Sequence, residues 1–534
     1  MTRLALVIAS ALLASRAEAA PDPWDAKPRQ PEPFKLQGPA PEVVPSTVKL
    51  ALPPVPSFEL PPSEPGFHHP RELRVAGRKL LGTDVQVKGY IVWIYDCTKA
   101  IAKPKETPAQ TRKRMDEDPT LCERPKFYLG STKDTALESA LWVVDVPRPP
   151  NKLEKERLPK AELAARPPVP KLAVGDYVLV TGKYALSSPH SERNSDGLLV
   201  YGKLDHVAPS SPPPPPPPST PRQRPAVPAP VIPKRTASTA DAAAQHSSIQ
   251  HTNTAMKAYG QKQYAMAIVE FEQAIKLWPD NHVAYYGLAG AHMGNRSWEQ
   301  ARDAMAVAVQ IAPGEPMYHL FHGRAQYEAA VQEAREDQAR RQGLGPDDII
   351  PDLSSVNFDA ALASFTQAVK LNNNLWRAHY YIGRIYRDRD ETQWAAEELD
   401  AALHAAPPEP GPWIALCELY RRWDYNDQAI EVSLQGTTVV PETTGISDVW
   451  YELGLAYDDK RKDAEAITAF SKALEARADN YKANFQRGQV YFRTKDFVKA
   501  KRDLEDFLKA PGSNLDFARQ QATKILMDIA AKRR

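Results

Sequence analysis

Four side chains in one short stretch have types and a spacing that could bind an anion. Arg377, Tyr380, Arg384 and Arg387 follow one another at intervals of three, four and three residues. This spacing places them on a single stripe of an α-helix. A guanidinium group binds a carboxylate through two parallel hydrogen bonds, so the stripe predicts recognition of an acidic group. The carboxylates that could neutralise these arginines within the chain are Asp388, Glu418, Asp424 and Asp458.

The sequence shows no recognisable catalytic motif besides this stripe. The stretch "GDYVLVTGKY" resembles a phosphate-binding loop only superficially, because its glycines are too far apart and Tyr184 stands where Ser or Thr would bind a metal ion. His68 and His69 are expected to be a solvated pair in a loop. We therefore predict a protein that is not an enzyme and that uses no metal or cofactor.

The first twenty residues, "MTRLALVIASALLASRAEAA", predict a cleaved secretion signal. A positive end, a short apolar run and the small-x-small motif of Ala17, Glu18 and Ala19 are the parts that such a signal needs. We expect residues 1–19 to be removed before Ala20. No later segment has the ~20 apolar residues of a membrane span, so the expected product is soluble and is periplasmic or secreted.

An exported protein would meet an oxidising environment, where disulfides form. Cys97 and Cys122 flank one loop, "TRKRMDEDPT", and are the candidates for a disulfide. Closing a loop of this size contributes roughly 3 kcal/mol through chain entropy. Cys417 lies far from both in the sequence and is expected to be a buried, inert thiol.

The composition divides the chain into segments of different character. Its 534 residues include 51 prolines, and the formal net charge of +2 gives no general attraction to nucleic acid or to an anionic membrane. The prolines cluster in an arm, residues 20–66, and in a linker, residues 209–238, which contains seven in succession. A β-rich segment, 67–208, and a helical segment, 239–534, are the candidate domains.

The β-rich segment contains five runs with the composition of strands. They begin with "DVQVKGYIVWIYDC", which holds Gly89 in its middle, and a possible short helix lies between the third and the fourth. The order resembles the OB-fold over residues 70–208, and this resemblance implies a small barrel with a glycine where the long first strand bends.

The linker is expected to be a semi-rigid tether. Polyproline II rises ~3.1 Å per residue, so the stretch could span on the order of 60–90 Å. It would then hold the two domains apart.

The helical segment shows an internal period. In "VWYELGLAYDDKRKDAEAITAFSKALEARAD", small and aromatic residues fall at the spacing of the tetratricopeptide repeat, a helix pair of ~34 residues. Seven such units fit residues 248–514, with an insertion near 335–356 in the third unit and a capping helix at the end. The resemblance implies an all-α solenoid of seven helix pairs joined by the linker to a small all-β barrel.

In tetratricopeptide arrays the first helix of each pair lines a concave groove. The resemblance places positions two, five, nine and twelve of each unit on that groove. The predicted groove residues are Arg324, Tyr327, Arg377, Tyr380, Arg384, Arg387 and Arg421, with Arg422 beside the last.

These observations favour a scaffold that binds a protein or peptide partner with an acidic segment in the groove, with the barrel as a second interaction module. The alternative is a protein that binds an oligosaccharide or a nucleic acid on the barrel, which is rich in aromatic residues and carries a basic loop. Export and the "DED" run at 116–118 argue against nucleic acid.

Overall fold

A computed structural model gives the fold of the chain. It describes residues 50–60, 64–102, 106–118, 121–122, 124–135, 137–186, 188, 197–208, 224, 226–230, 232, 235–236, 240–343, 345–346, 349, 351–442, 445–510 and 516–532. The predicted signal, most of the predicted arm and the run of seven prolines lie outside the described residues.

The β-rich segment closes into a barrel. Its strands are β1 Asp84–Ile94, β2 Phe127–Gly130, β3 Leu141–Val144, β4 Tyr177–Ala185 and β5 Leu198–His206. The strand order is β1-β2-β3-β5-β4, and β4 pairs with β1 to complete the ring. All neighbouring strands are antiparallel except β3 and β5, which are parallel. This topology agrees with the predicted OB-like barrel.

Alternation along the strands gives the barrel its core. In β1 the buried and accessible residues alternate, and Val85, Val87 and Ile91 point inward. Gly89 lies in the middle of this strand, where a Cβ would approach the Gly130 carbonyl oxygen to 2.9 Å. The absence of a side chain lets the neighbouring strand pass at this point.

Short helices decorate the barrel. They are α1 Pro70–Ala76, α2 Cys97–Ile101, α3 Pro108–Glu117, α4 Lys152–Arg157 and α5 Lys160–Ala164. A disulfide joins Cys97 to Cys122 across the loop that holds α2 and α3. The predicted pairing of these two cysteines is thus present in the structure.

The helical segment consists, in the described part of the chain, of seven helix pairs and one terminal helix. The first helices of the pairs are α6 Ala242–Gly260, α8 His282–Gly294, α10 Pro316–Gln342, α12 Trp376–Asp388, α14 Pro410–Arg422, α16 Ile446–Asp459 and α18 Tyr481–Arg493. The second helices are α7 Tyr264–Leu277, α9 Trp298–Ile311, α11 Asp359–Leu371, α13 Thr392–Leu403, α15 Asn426–Val439, α17 Asp463–Ala476 and α19 Phe497–Phe507. The terminal helix is α20, Asp516–Lys532.

Helix α10 is about twice as long as the other first helices after α6. It continues through the start of the inserted sequence to Gln342 and ends at Gly343, whose φ of 67° is a left-handed conformation that suits glycine. The remainder of the insertion returns to α11, and Gln338 holds it by exchanging hydrogen bonds of 2.8 Å with the backbone of Asp352.

Both proline-rich segments contact the solenoid where they are described. Residues 50–60 pack against α13, α14 and α15, and residues 226–230 lie over α10 and α11. Arg235 donates to the Pro279 carbonyl at 2.8 Å, at the start of the solenoid. The described part of the linker therefore follows the solenoid surface and does not hold it at a distance, because apolar side chains such as Val227 and Ile232 find helices to pack on.

None of the helices in the described part of the chain combines the length and the hydropathy that a membrane span needs.

Candidate partner-binding groove

The first helices form what we call the inner groove, the surface of α8, α10, α12, α14 and α16. Successive first helices contact one another, α10 with α12, α12 with α14 and α14 with α16. Glycines on the opposite side of α10 and α16 allow these first helices to cross their second helices closely. A Cβ on Gly323 would lie 2.8 Å from the Phe365 ring, and one on Gly454 would lie 2.5 Å from the Phe470 ring. These crossings turn the predicted stripes of the two helices toward the groove.

At the beginning of α12, Arg377 is held by an acidic partner. It forms an ion pair with Glu409, which directly precedes α14, and its guanidinium lies 4.3 Å from the centre of the Trp376 ring. Burial raises the pKa of the Glu409 carboxyl. This arginine therefore joins two neighbouring units.

At the end of α12, Arg387 also has acidic neighbours. Its Nη2 lies 3.1 Å from Asp388 Oδ1, and its Nη1 lies 3.8 Å from Glu418 Oε2. These are two of the carboxylates that the sequence marked as possible neutralisers. The other two bind elsewhere, since Asp424 accepts a hydrogen bond from a barrel serine and Asp458 pairs with Arg493.

Arg421 is the most enclosed member of the ion-pair network. Its Nη1 donates to Glu452 Oε2 at 2.9 Å and its Nε donates to Asp459 Oδ2 at 2.8 Å. Burial raises the pKa of Glu452 to about 7, although Arg421 opposes the rise and Glu418 adds to it. Arg422 points away to the preceding turn, with 3.8 Å between its Nη2 and Asp390 Oδ1.

The separation of the paired residues in the sequence could have predicted these ion pairs. Arg377 and Glu409 are 32 residues apart, Arg421 and Glu452 are 31 apart, and Arg421 and Asp459 are 38 apart. Each separation is close to one repeat length, so opposite charges at this offset meet on adjacent first helices. Glu409, Glu452 and Asp459 were not among the acids that the sequence suggested as partners of these arginines.

Arg384 differs from the other arginines on this surface. Its guanidinium carbon lies 5.0 Å from the ring centre of Tyr327 and 5.6 Å from those of Tyr380 and Tyr381. It has no ion pair of 4.0 Å or less within the described residues. Burial raises the pKa of Tyr327 to about 12, and raises that of Tyr381 as well, so neutral rings surround the cation.

Two predicted groove residues are less accessible than the sequence suggested. Tyr327 is completely buried and stacks on Phe358 with 4.7 Å between ring centres, because α10 continues past it and α11 packs behind it. Arg324 is also buried, with its guanidinium 5.8 Å from the Trp298 ring centre. Tyr327 thus supports Arg384 from below and does not form part of the accessible wall.

An aromatic cluster extends the groove toward the second unit. Tyr286 stacks on Tyr318 and meets the edge of Phe321, each at 5.2 Å between ring centres. His282 Nδ1 lies 2.7 Å from the Tyr318 hydroxyl. Tyr318 and Phe321 could have been found from the sequence as aromatic residues about one repeat after Tyr286.

The barrel carries a second aromatic surface. Outward-facing rings of β1, β2 and β3 form a ladder in which Trp93 lies 4.8 Å from Tyr128 and Tyr128 stacks on Trp142 at 5.5 Å and 6°. Lys126 lies 5.7 Å from the Trp142 ring centre. By contrast, Arg114 of the predicted basic loop is paired with Glu106 at 2.7 Å.

A polar cluster lies beneath linker residues 226–230, in a cavity of about 520 Å³. Gln326 donates to His322 Nε2 at 3.2 Å, and the other ring nitrogen lies 3.5 Å from Ser364 Oγ. Burial lowers the pKa of His322 to about 4. The Ser364 hydroxyl donates to the Gln326 amide oxygen at 2.9 Å and not to the imidazole, so the cluster lacks the hydrogen bond from serine to base that activates a nucleophile.

Models of the tetratricopeptide repeat match residues 258–326, 354–410 and 451–510. The helical region is a tetratricopeptide-repeat solenoid. Repeats of this family generally mediate interactions between proteins. Comparison with curated proteins finds no match.

Solved structures with a similar helical region share little sequence with this chain. The Cut9 and Hcn1 complex has 13% identity over 52% of this chain and 48% of that chain, about half its length, with a TM-score of 0.36. A repeat protein from Cytophaga hutchinsonii has 14% identity over 52% of this chain and 99% of that chain, with a TM-score of 0.37. YrrB, described as having an unusual peptide-binding site, has 14% identity over 43% of this chain and 98% of that chain, with a TM-score of 0.30.

Proposed function

We propose that the protein is a non-enzymatic, exported scaffold that binds a protein or peptide partner in the inner groove, with an acidic segment of the partner at Arg384. The observation that supports this most is the contrast between Arg384 and its neighbours. Arg377, Arg387 and Arg421 each have a carboxylate from the chain itself, whereas Arg384 has three tyrosines around it.

A partner carboxylate would gain more at Arg384 than at the paired arginines. At those sites it would have to displace an acid that is already paired, whereas the Glu328 carboxylate attracts Arg384 without forming an ion pair of 4.0 Å or less among the described residues. The surrounding rings exclude water and hold the guanidinium plane, which favours a bidentate contact. Hydrogen bonds to charged groups contribute about 1.5–3 kcal/mol.

A displayed library of random peptides tests the proposal without requiring the partner to be identified. Peptides selected on the full wild-type chain should be enriched in Asp and Glu. Arg384→Ala should weaken the selected peptides at least ~10-fold, equivalent to about 1.4 kcal/mol.

Arg387→Ala is the matched control, because it removes an arginine from the same stripe that already has acidic partners. It should change peptide affinity less than ~3-fold, since acids of the chain itself already engage its guanidinium group. Selected peptides without acidic residues, or equal losses in the two variants, would contradict the assignment of Arg384.

Export forms a separate part of the proposal. Its support is the disulfide between Cys97 and Cys122, a bond typical of oxidising compartments. N-terminal sequencing of the mature protein should begin at Ala20. A mature chain that retains Met1, or that has both cysteines free, would contradict export.

The barrel ladder favours a second candidate function, the binding of an oligosaccharide or a single-stranded nucleic acid. Stacked rings with a flanking lysine suit flat or apolar faces of either ligand, and each stacked base contributes about 1–3 kcal/mol. Titration with an oligodeoxythymidine and with a linear oligosaccharide separates the two classes. Trp142→Ala should abolish binding of the true ligand, while Val174→Ala, at an exposed position of the same domain, should not.

A further inference from the structure

Residues 50–60, "LALPPVPSFEL", lie in extended form across the second helices α13 and α15, and we call this stretch the arm segment. Side-chain amides of these helices bind its backbone. The Gln435 amide accepts from the Ala51 N–H at 3.0 Å and donates to the Ala51 carbonyl at 2.5 Å. The Gln393 amide oxygen accepts from the Phe58 N–H at 3.1 Å. These contacts recognise an extended backbone and do not depend on a particular side chain.

A single aromatic residue anchors the arm segment. Phe58 is 8% exposed, and three rings enclose it. Tyr420 stacks on it at 6.1 Å, while Trp423 and Tyr425 meet it edge-on at 5.3 and 5.4 Å. The Tyr425 hydroxyl also donates to the Ser57 carbonyl at 2.6 Å. Smaller contributions come from leucines and a valine that pack on the same core at Leu50, Leu52, Val55 and Leu60.

The prolines of the arm segment lower the cost of this arrangement. Proline fixes φ and favours the extended polyproline II form, so less chain entropy is lost on ordering. A peptide-binding site needs groups that hydrogen-bond to the peptide backbone, a pocket for an anchoring side chain and a ligand with little entropy to lose. Here two glutamine side chains, which we call amide brackets, bind the backbone, and an aromatic cage holds one ring.

We propose that the fourth and fifth units carry a second peptide-binding site on the outer surface, separate from the inner groove, that takes an extended proline-rich peptide with an aromatic anchor. The arm segment occupies this site as its ligand in cis. Specificity lies mainly at Phe58, because the hydrogen bonds to Ala51 and Phe58 involve only backbone groups.

The same site fastens the barrel to the solenoid. In the barrel, Arg71 donates to the Trp423 carbonyl at 2.8 Å and Ser139 donates to Asp424 at 2.8 Å. These acceptors belong to the turn whose rings enclose Phe58. Displacement of the arm segment would therefore remove Phe58 from the turn that also binds the barrel. Covalent connection gives the arm segment a high effective concentration, so a free peptide competes poorly while it is bound.

A fluorescein-labelled peptide of residues 50–60 tests the proposal on the full chain. Phe58→Ala empties the cage, and this variant should bind the labelled peptide at least ~100-fold more tightly than the wild type does. A peptide that carries Ala in place of Phe58 should not bind. Adding Arg384→Ala should leave the peptide affinity unchanged, which separates this site from the inner groove.

Three results would overturn the proposal. The first is equal affinity of the wild type and the Phe58→Ala variant, and the second is no binding to a variant that keeps its helix content. The third is a wild-type dimer in light scattering that Phe58→Ala converts to a monomer, because the arm segment would then occupy a second copy. If Phe58→Ala loses helicity, the double variant L52A/V55A, which weakens the arm segment and leaves Gln393, Gln435 and the aromatic cage in place, replaces it in the same titration.

Discussion

The inner and outer surfaces of this solenoid are built from the same repeats but carry different contacts. On the inner groove, arginines of one unit pair with acids of the next, as Arg421 does with Glu452, and Arg384 has no such partner among the described residues. On the outer surface, described proline-rich residues of the same chain cover α13 and α15 and lie over α11. The inner surface therefore offers charge to a partner, while part of the outer surface is occupied by the chain itself.

This contrast indicates how one repeat array can use its two surfaces for different kinds of contact. In a charged network each arginine binds a carboxylate in a defined orientation. An arginine that has no carboxylate from the chain can bind one from a partner. An apolar surface with amide brackets instead suits a permanent neighbour, since a tethered proline-rich segment is always present at high effective concentration.

Removal of Arg421 should have the largest effect, and it tests whether the ion pairs of the inner groove stabilise the fold. Arg421→Ala would leave Glu452, whose side chain is only 8% exposed, without its counter-charge. Removing one partner of a buried pair costs about 3–5 kcal/mol, so we expect the free energy of unfolding at pH 8 to fall by about 3 kcal/mol. Chemical denaturation followed by circular dichroism measures this.

Arg302→Ala is the control for that experiment, with an expected loss below ~0.5 kcal/mol because Arg302 and its partner Asp303 are both exposed, with 42% and 71% of their side chains accessible. Equal losses in the two variants would show that the network has no special role at Arg421.

A somewhat smaller effect follows from the pKa of Glu452, which burial raises to about 7 from an ordinary value of 4.5. The folded state then binds a proton more tightly than the unfolded state. The contribution of this group to stability is therefore complete below pH 4.5 and is lost as the pH rises to about 7. Since one pKa unit corresponds to 1.36 kcal/mol, the loss is at most on the order of 3 kcal/mol.

Glu452→Gln should remove this part of the pH dependence while keeping the shape of the side chain. Unfolding at several pH values between 4.5 and 7 measures it, and the difference between wild type and variant should change across that window. A constant difference would mean that Glu452 does not titrate there. The groups that face it, Arg421, Glu418 and Asp459, remain in both proteins.

Much of the fold could be predicted from the sequence because it repeats local patterns. The spacing of small and aromatic residues predicted the helix pairs, and runs with a strand-like composition predicted the strands of the barrel. The stripe on α12 was also predictable, since helical spacing alone puts Arg377, Tyr380, Arg384 and Arg387 on one side.

The covering of the outer surface could not be predicted in this way. Proline fixes the local backbone but does not identify what the segment packs on, and the hydrogen bond from Tyr425 to Ser57 joins residues 368 positions apart. The burial of Tyr327 was missed for a related reason, because the repeat pattern does not include the insertion that brings Phe358 against it.

Substitution of the two glutamines that bind the arm segment should have the smallest effects, and it compares the two ends of the segment. The Gln435 bracket on Ala51 is exposed to solvent, whereas the Gln393 bracket on Phe58 is partly buried beside the aromatic cage. Water can replace the first bracket, so Gln435→Ala should lower the free energy of unfolding by no more than ~0.5 kcal/mol, at the low end for a hydrogen bond. Gln393→Ala should lower it by about 1 kcal/mol, since the Phe58 amide would lose a partner that water reaches less easily. Amide hydrogen exchange resolves the two, with faster exchange at Ala51 alone in the first variant and at Phe58 in the second. If Gln435→Ala accelerated exchange at Phe58 as strongly as Gln393→Ala does, the arm segment would be held cooperatively along its length and not mainly by its aromatic anchor.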